Sequence, residues 1–105
     1  MPARISILYV DDEPLLLELG RQFLEQKGEL LVSTAETVAC AMDMLANKPF
    51  DVIISDYQMP GTDGIEFLKL ARHQYPDIPF ILFTGRGREE VVIEAINNGA
   101  EFYLQ

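Results

Sequence analysis

One cysteine in 105 residues leaves no partner for an internal disulfide, so Cys40 cannot staple the fold and the chain suits a reducing cytoplasm. Long apolar runs are missing too: stretches such as Leu15 to Leu17 are far short of the ~20 residues that cross a bilayer. Met1-Pro2-Ala3-Arg4 lacks the basic patch and apolar stretch of a secretory leader, and a membrane partner is not expected. Positive charge is scarce. Eight Lys and Arg stand against 17 Asp and Glu, a net charge of −9 that repels phosphate backbones and argues against direct nucleic-acid binding. Repeats, linkers and low-complexity stretches are absent. What remains is 49% apolar and 24% charged, the mixture of one globular module spanning 1–105, too short for two independent cores.

Short β-branched or aromatic segments recur at Ile5 to Val10, Leu30 to Ser33, Val52 to Ser55, Phe80 to Phe83 and, more weakly, Phe102 to Leu104. These are strands. Helical periodicity fills the gaps: Leu16, Leu19, Gly20 and Phe23 form one apolar stripe and Val38, Ala41, Met42, Leu45 and Ala46 the next. Two more run over Ile65 to Gln74, with Leu68, Ala71 and Tyr75, and over Glu89 to Asn98, with Val92, Ala95, Ile96 and Gly99. Pro14 suits a first helical turn, Gly28 and Gly99 suit helix ends, and Ser33 with Glu36 resembles a capping box. Strict strand–helix alternation predicts an α/β fold: a doubly wound five-stranded parallel sheet with helices on both faces and right-handed crossovers. The apolar runs Val52-Ile53-Ile54 and Phe80-Ile81-Leu82-Phe83 predict burial on both faces. Because the sequence stops at Gln105, directly after the fifth strand, the expectation is a chain truncated before a last covering helix.

Three acids stand at strand ends, Asp11 and Asp12 after the first and Asp56 after the third. In the order 2-1-3-4-5 those strands are neighbours, and the crevice beyond their carboxyl ends is where such sheets bind ligands. Thr84 ends the fourth strand beside them. Helix capping explains one of Asp11 and Asp12, and a turn explains Asp56 in Ser55-Asp56-Tyr57-Gln58-Met59-Pro60-Gly61; together they require three coincidences at one edge. Clustered carboxylates repel unless a cation joins them, and an all-oxygen donor set suits Mg²⁺.

Val10-Asp11-Asp12-Glu13-Pro14, Asp56 with Met59-Pro60-Gly61-Thr62-Asp63-Gly64, Thr84-Gly85, and Gly99-Ala100 with Tyr103 together resemble the receiver domain of two-component response regulators. Separations of 44, 28 and 19 residues from Asp12 to Asp56, Thr84 and Tyr103 in turn agree with that pattern. The stretch from Gly85 to Gly99 is similar to receivers of archaeal multidomain sensor kinases. The resemblance implies a flavodoxin-like fold and a phosphorylation switch rather than a turnover enzyme. It implies that Asp56 takes a phosphoryl group from a histidine kinase, that Mg²⁺ is held by Asp11, Asp12, Asp56 and the carbonyl of Gln58, and that Thr84 and Tyr103 carry the switch. Gln58 and Arg86 fall where the family tunes dephosphorylation. A downstream output domain in the same polypeptide is a further implied partner.

The family's lysine falls one position past Gln105, and Lys27, Lys48 and Lys69 all lie on or after helices. Weaker phosphate retention is therefore expected of this chain. Val91 and Ile93 exceed the core stripe of the fourth helix and, with Tyr103, mark a face for a partner or a second copy, although surface scatter explains them equally well. Gly85-Arg86-Gly87-Arg88 is too short a pattern for a phosphate cradle; His73 and Cys40 read as surface residues, and Met42, Met44 and Met59 as packing. Two other readings compete: an interaction module of the same shape that is never phosphorylated, and an aspartyl-phosphate phosphatase of the dehalogenase type. The latter expects an Asp where Gln58 stands.

Overall fold

The computed structural model describes residues 4–57, 59, 61, 63–83, 97–99 and 102–104, the last three through their backbone only. Five parallel strands form one sheet in the order β2-β1-β3-β4-β5: β1 Ile5–Val10, β2 Leu30–Ala35, β3 Val52–Asp56, β4 Phe80–Phe83 and β5 Phe102–Leu104. Helices α1 Pro14–Glu25, α2 Val38–Asn47 and α3 Gly64–Gln74 connect the first four strands. The alternation predicted from the sequence is therefore the architecture, with β2 two residues longer and β3 one residue longer than its apolar run. The fourth predicted helix, 89–98, lies outside the described residues except at its end, where Gly99 takes φ +92°.

The predicted capping box does not form. Ser33 belongs to β2 and its hydroxyl oxygen accepts from Lys48 Nζ at 2.9 Å, while Thr37 is the N-cap of α2, accepting the Cys40 N–H at 3.0 Å. A strand that runs on to Ala35 carries Ser33 away from the helix start, and Thr37, in extended backbone, takes over the role. Pro14 does open α1, with Glu13 as an N-cap whose side chain makes no capping bond.

Side-chain alternation sorts the sheet into two faces. Leu8, Val10, Ile53, Phe80 and Leu82 point to one face and are fully buried against Val38, Ala41 and Leu45 of α2 and Ile65, Phe67, Leu68 and Ala71 of α3. Phe67 meets Phe80 edge to face with ring centroids 5.4 Å apart. The opposite face carries Tyr9, Ile54, Ile81 and Phe83, all half-buried, beside α1. Burial on both faces of β3 and β4 was the expectation; among the described residues one face is fully buried and Val52, Ile54, Ile81 and Phe83 on the other are half-buried.

The predicted stripe of α1 is corrected likewise. Leu17 is the buried residue of that helix, whereas Leu16, Leu19 and Phe23 are 47, 55 and 75% exposed. Gly20 lets the helix settle on the Tyr9 ring, and a Cβ there would sit 2.5 Å from Tyr9 Cε2. With that contact made, Leu17 lies inward, and Phe23 and Leu24 flank a groove floored by Tyr9, Ile54 and Phe83.

Candidate functional site

Register brings the acids together. β1 pairs with β3 so that Val10 faces Ser55, and one residue further Asp11 and Asp12 meet Asp56 at the carboxyl edge of the sheet. One carboxylate oxygen from each of the three lies within 4.8 Å of the other two. Asp11 is buried, and Asp12 and Asp56 are half-buried. The backbone is fixed on both sides: Asp11 N–H donates to Ala35 O of β2 at 3.2 Å, and Tyr57 N–H donates to Phe83 O of β4 at 2.9 Å. Asp56 itself pairs with Phe83 in the ladder, and the fully buried Ser55 hydroxyl donates to Asp56 O at 3.0 Å.

Electrostatics follows from that crowding. Burial pushes the Asp11 carboxyl up to about 6; the Glu13 N–H, which donates to Asp11 Oδ1 at 3.0 Å, pulls it down, while the Asp56 charge and a hydrogen bond with Asp12 raise it. The bond to Glu13 is a local turn before α1, so part of the capping explanation for Asp11 holds. It leaves Asp12 and Asp56 unexplained. Burial, then the charges of Asp11 and Asp56, also raise the phenol of Tyr9. Three hard oxygen donors at this spacing, with a proton held beyond its ordinary pH range, fit a divalent cation such as Mg²⁺.

Beside the acids, Asp12, Glu36, Thr37, Val38 and Met59 line an open cleft between the β1 edge and the start of α2. Met59 is buried there. The loop then turns into α3, whose N-cap Asp63 accepts the Glu66 N–H at 2.9 Å. Gly64 N–H donates to Tyr57 O at 2.8 Å, and a Cβ on Gly64 would lie 2.6 Å from Asp56 O. This close approach is a role that sequence reading missed; the signal was Gly64 at the end of the Met59 to Gly64 motif, where a glycine starts a helix instead of ending one.

Of the residues named from the sequence, Asp11, Asp12 and Asp56 are brought together. Gln58, Thr84, Arg86, Val91 and Ile93 lie outside the described residues, as does the side chain of Tyr103, whose backbone pairs with Leu82 in the β4–β5 ladder. His73 and Cys40 are exposed. Met42 and Met44 pack against the core. Lys48 Nζ stands 5.1 Å from the centroid of the Phe50 ring and also donates to Ser33 of β2, and Lys69 Nζ lies 3.7 Å from Glu66 on its own helix. No helix among the described residues is long and apolar enough to cross a membrane.

Comparison with known proteins gives one answer. The sequence profile of the response regulator receiver domain matches residues 7–105. The C4-dicarboxylate transport transcriptional regulatory protein DctD of Pseudomonas aeruginosa is 36% identical over 98% of this chain, which spans 22% of DctD. The phosphate regulon transcriptional regulatory protein PhoB of Klebsiella pneumoniae is 37% identical over 93% of the chain, which spans 43% of PhoB. The chain thus spans less than half the length of these curated relatives. Among solved structures, the chemotaxis protein CheY4 of Vibrio cholerae matches with a TM-score of 0.88 at 32% identity, covering 97% of this chain and 86% of that one. The response regulator TrrA of Thermotoga maritima, solved in complex with Mg²⁺ and BeF, matches with a TM-score of 0.84 at 30% identity, covering 95% and 84%.

Proposed function

Since this chain belongs to the response regulator receiver domain family, whose members are signalling switches rather than turnover enzymes, we propose that Asp56 is the phosphoacceptor of a two-component signalling system. The observation that carries the proposal is the convergence of Asp11, Asp12 and Asp56 within 4.8 Å at the edge shared by β1 and β3. A carboxylate oxygen of Asp56 attacks phosphorus, the P–N bond to the histidine of a partner kinase breaks, and the imidazole keeps the electron pair and takes up a proton. The product is an acyl phosphate, which water later hydrolyses. Phosphoryl transfer needs positioning and positive charge above all.

Asp11, Asp12, Asp56 and the backbone carbonyl of Gln58 hold Mg²⁺ in this reading. The ion, when bound, offsets the charge gathered on the transferring oxygens. The related TrrA, solved with Mg²⁺ and BeF, supports that assignment. Thr84, which follows Phe83, donates its hydroxyl to a phosphoryl oxygen; Tyr103 on β5 carries the switch with it, and Gln58 and Arg86 set the rate of hydrolysis. A histidine kinase is the upstream partner. An output domain in the same polypeptide is the downstream one, by analogy with the longer DctD and PhoB.

Intact-mass spectrometry after incubation with Mg²⁺ and acetyl phosphate, beside an Asp56→Asn variant, tests the reading. One phosphoryl adduct on the parent and none on the variant is the expected result. An adduct on both moves the acceptor elsewhere, and an adduct on neither, both in this chain and in one extended past Gln105, makes the module a passive one.

A further inference from the structure

Helix α3 touches the acid site with one end and the turn at Gly99, ahead of β5, with the other. At its first residue, Gly64 leaves no slack: a Cβ there would lie 2.6 Å from Asp56 O, 2.7 Å from Leu82 Cδ1 and 2.8 Å from Tyr57 Cα. The Gly64 N–H also holds Tyr57 O at 2.8 Å. Along its length Ile65, Phe67, Leu68 and Ala71 are 3% exposed or less, so the helix is packed as one body against β3 and β4. Near its last turn Arg72 reaches 27 residues ahead. Its Nε and Nη2 donate to Gly99 O at 2.9 and 2.6 Å, and its Nη1 donates to Ile78 O and, at 3.5 Å, to Tyr75 O.

One guanidinium therefore binds the end of α3, the lead into β4 and the turn before β5. Gly99 fits this grip twice over: its φ of +92° favours glycine, and a Cβ would stand 2.9 Å from Arg72 Nε. Both ends of α3 thus meet backbone that a side chain would push away. The planar fork of arginine is what allows a single residue to bridge several carbonyls at fixed angles.

We propose that α3 is a strut that carries the state of the Asp56–Tyr57 backbone to the Gly99 turn ahead of β5, with Arg72 as the positioning residue at its far end. The proposal rests on Asp56 being the phosphoacceptor. Phosphorylation adds about two negative charges and a bulky group beside a backbone that Gly64 touches directly. A displacement there moves a tightly packed helix as a unit, by the small shifts such helices undergo, and Arg72 draws the Gly99 carbonyl with it. This route runs along the underside of the sheet and does not depend on Thr84.

Amide hydrogen exchange of the parent, Arg72→Ala and Arg72→Lys chains, each with and without Mg²⁺ and acetyl phosphate, tests it, with intact mass measured on the same samples. In the parent, phosphorylation changes exchange over 97–104. In Arg72→Ala, exchange there is faster by about tenfold or more before any phosphorylation, since two charge-assisted hydrogen bonds to Gly99 O are lost, and the response to phosphorylation disappears while the adduct still forms. Arg72→Lys keeps the charge but not the fork, so it lowers that response by about half or more, and it decides the matter if the alanine variant does not fold. An unchanged response in either variant, or none in a phosphorylated parent, overturns the strut. Faster exchange spread equally over β1 and β3 reduces Arg72 to a general stabiliser and overturns it too. Absence of an adduct on the parent is seen in the mass alone; it removes the reading of Asp56, and the strut with it.

Discussion

The two faces of the sheet share the same strands and differ in what lies on them. Beneath α2 and α3, Leu8, Ile53, Phe80 and Leu82 have no exposed surface; beside α1, Ile54, Ile81 and Phe83 keep part of theirs, and Phe23 is 75% exposed. The residue types are nearly the same. Among the described residues the α1 face is closed only at Leu17, Ile7 and Val32, all buried, and the same residue types further across the sheet stay half-exposed.

Large-to-small substitutions should split along that line, and they give the largest effects. Phe67→Ala removes a ring packed on Phe80 and should cost about 3–5 kcal/mol, whereas Phe23→Ala on the open face should stay within about 1 kcal/mol. Urea midpoints at constant m-value measure both. Equal losses would mean that Phe23 is covered in solution and that the two faces do not differ.

A pair of glycines gives the next contrast. Gly64→Ala drives a methyl group into the backbone at Asp56 and Tyr57 and should cost about 1–3 kcal/mol. Gly20→Ala meets only the outer edge of the Tyr9 ring, which has room to turn toward the open groove, and the helix-propensity gain of about 1 kcal/mol offsets that movement. Gly20→Ala should therefore sit near zero on the same urea scale. A large loss there would show that the open face is as rigid as the closed one.

The smallest effect belongs to the seam between the faces, at Asp11. Its carboxyl titrates near 6 in the folded chain and in the ordinary carboxylate range when unfolded, so the folded state binds that proton more tightly. The stability it contributes is fully present below about pH 4 and is lost as pH rises through about 6. Thermal unfolding of the metal-free chain should shift upward by roughly 5 °C between pH 7 and pH 5, from about 1.3 kcal/mol, and Asp11→Asn should flatten the difference. A steeper or inverted profile in the variant would place the titration elsewhere.

Much of this was legible in the sequence, for identifiable reasons. Strand and helix order is written in periodicity and punctuation, and Asp11, Asp12 and Asp56 follow apolar strands whose neighbourhood the 2-1-3-4-5 order fixes. The orientation of α1 was hidden because its apolar positions run past one stripe: Leu16, Leu17, Leu19 and Phe23 compete for the sheet, and the close approach of Gly20 to Tyr9, which goes with Leu17 inward, is not written in residue identity. The cap of α2 was misread because Ser33 and Thr37 both offer a hydroxyl, and strand length chooses between them. Arg72 gave no signal, since its carbonyl partners are backbone atoms and leave no trace in residue identity.

The pairing of β1 with β3 has a kinetic side. Ile7 meets Val52 and Val10 meets Ser55, so 45 residues of chain must be brought round before those strands join, and joining them forces three like charges to within 4.8 Å. The step that builds the site is thus the step that the site's own charge resists. Refolding of the metal-free chain should run faster as added salt shortens the screening length from about 30 Å at 0.01 M to about 10 Å at 0.1 M. A divalent cation that bridges the acids would act as a folding template as well as a cofactor.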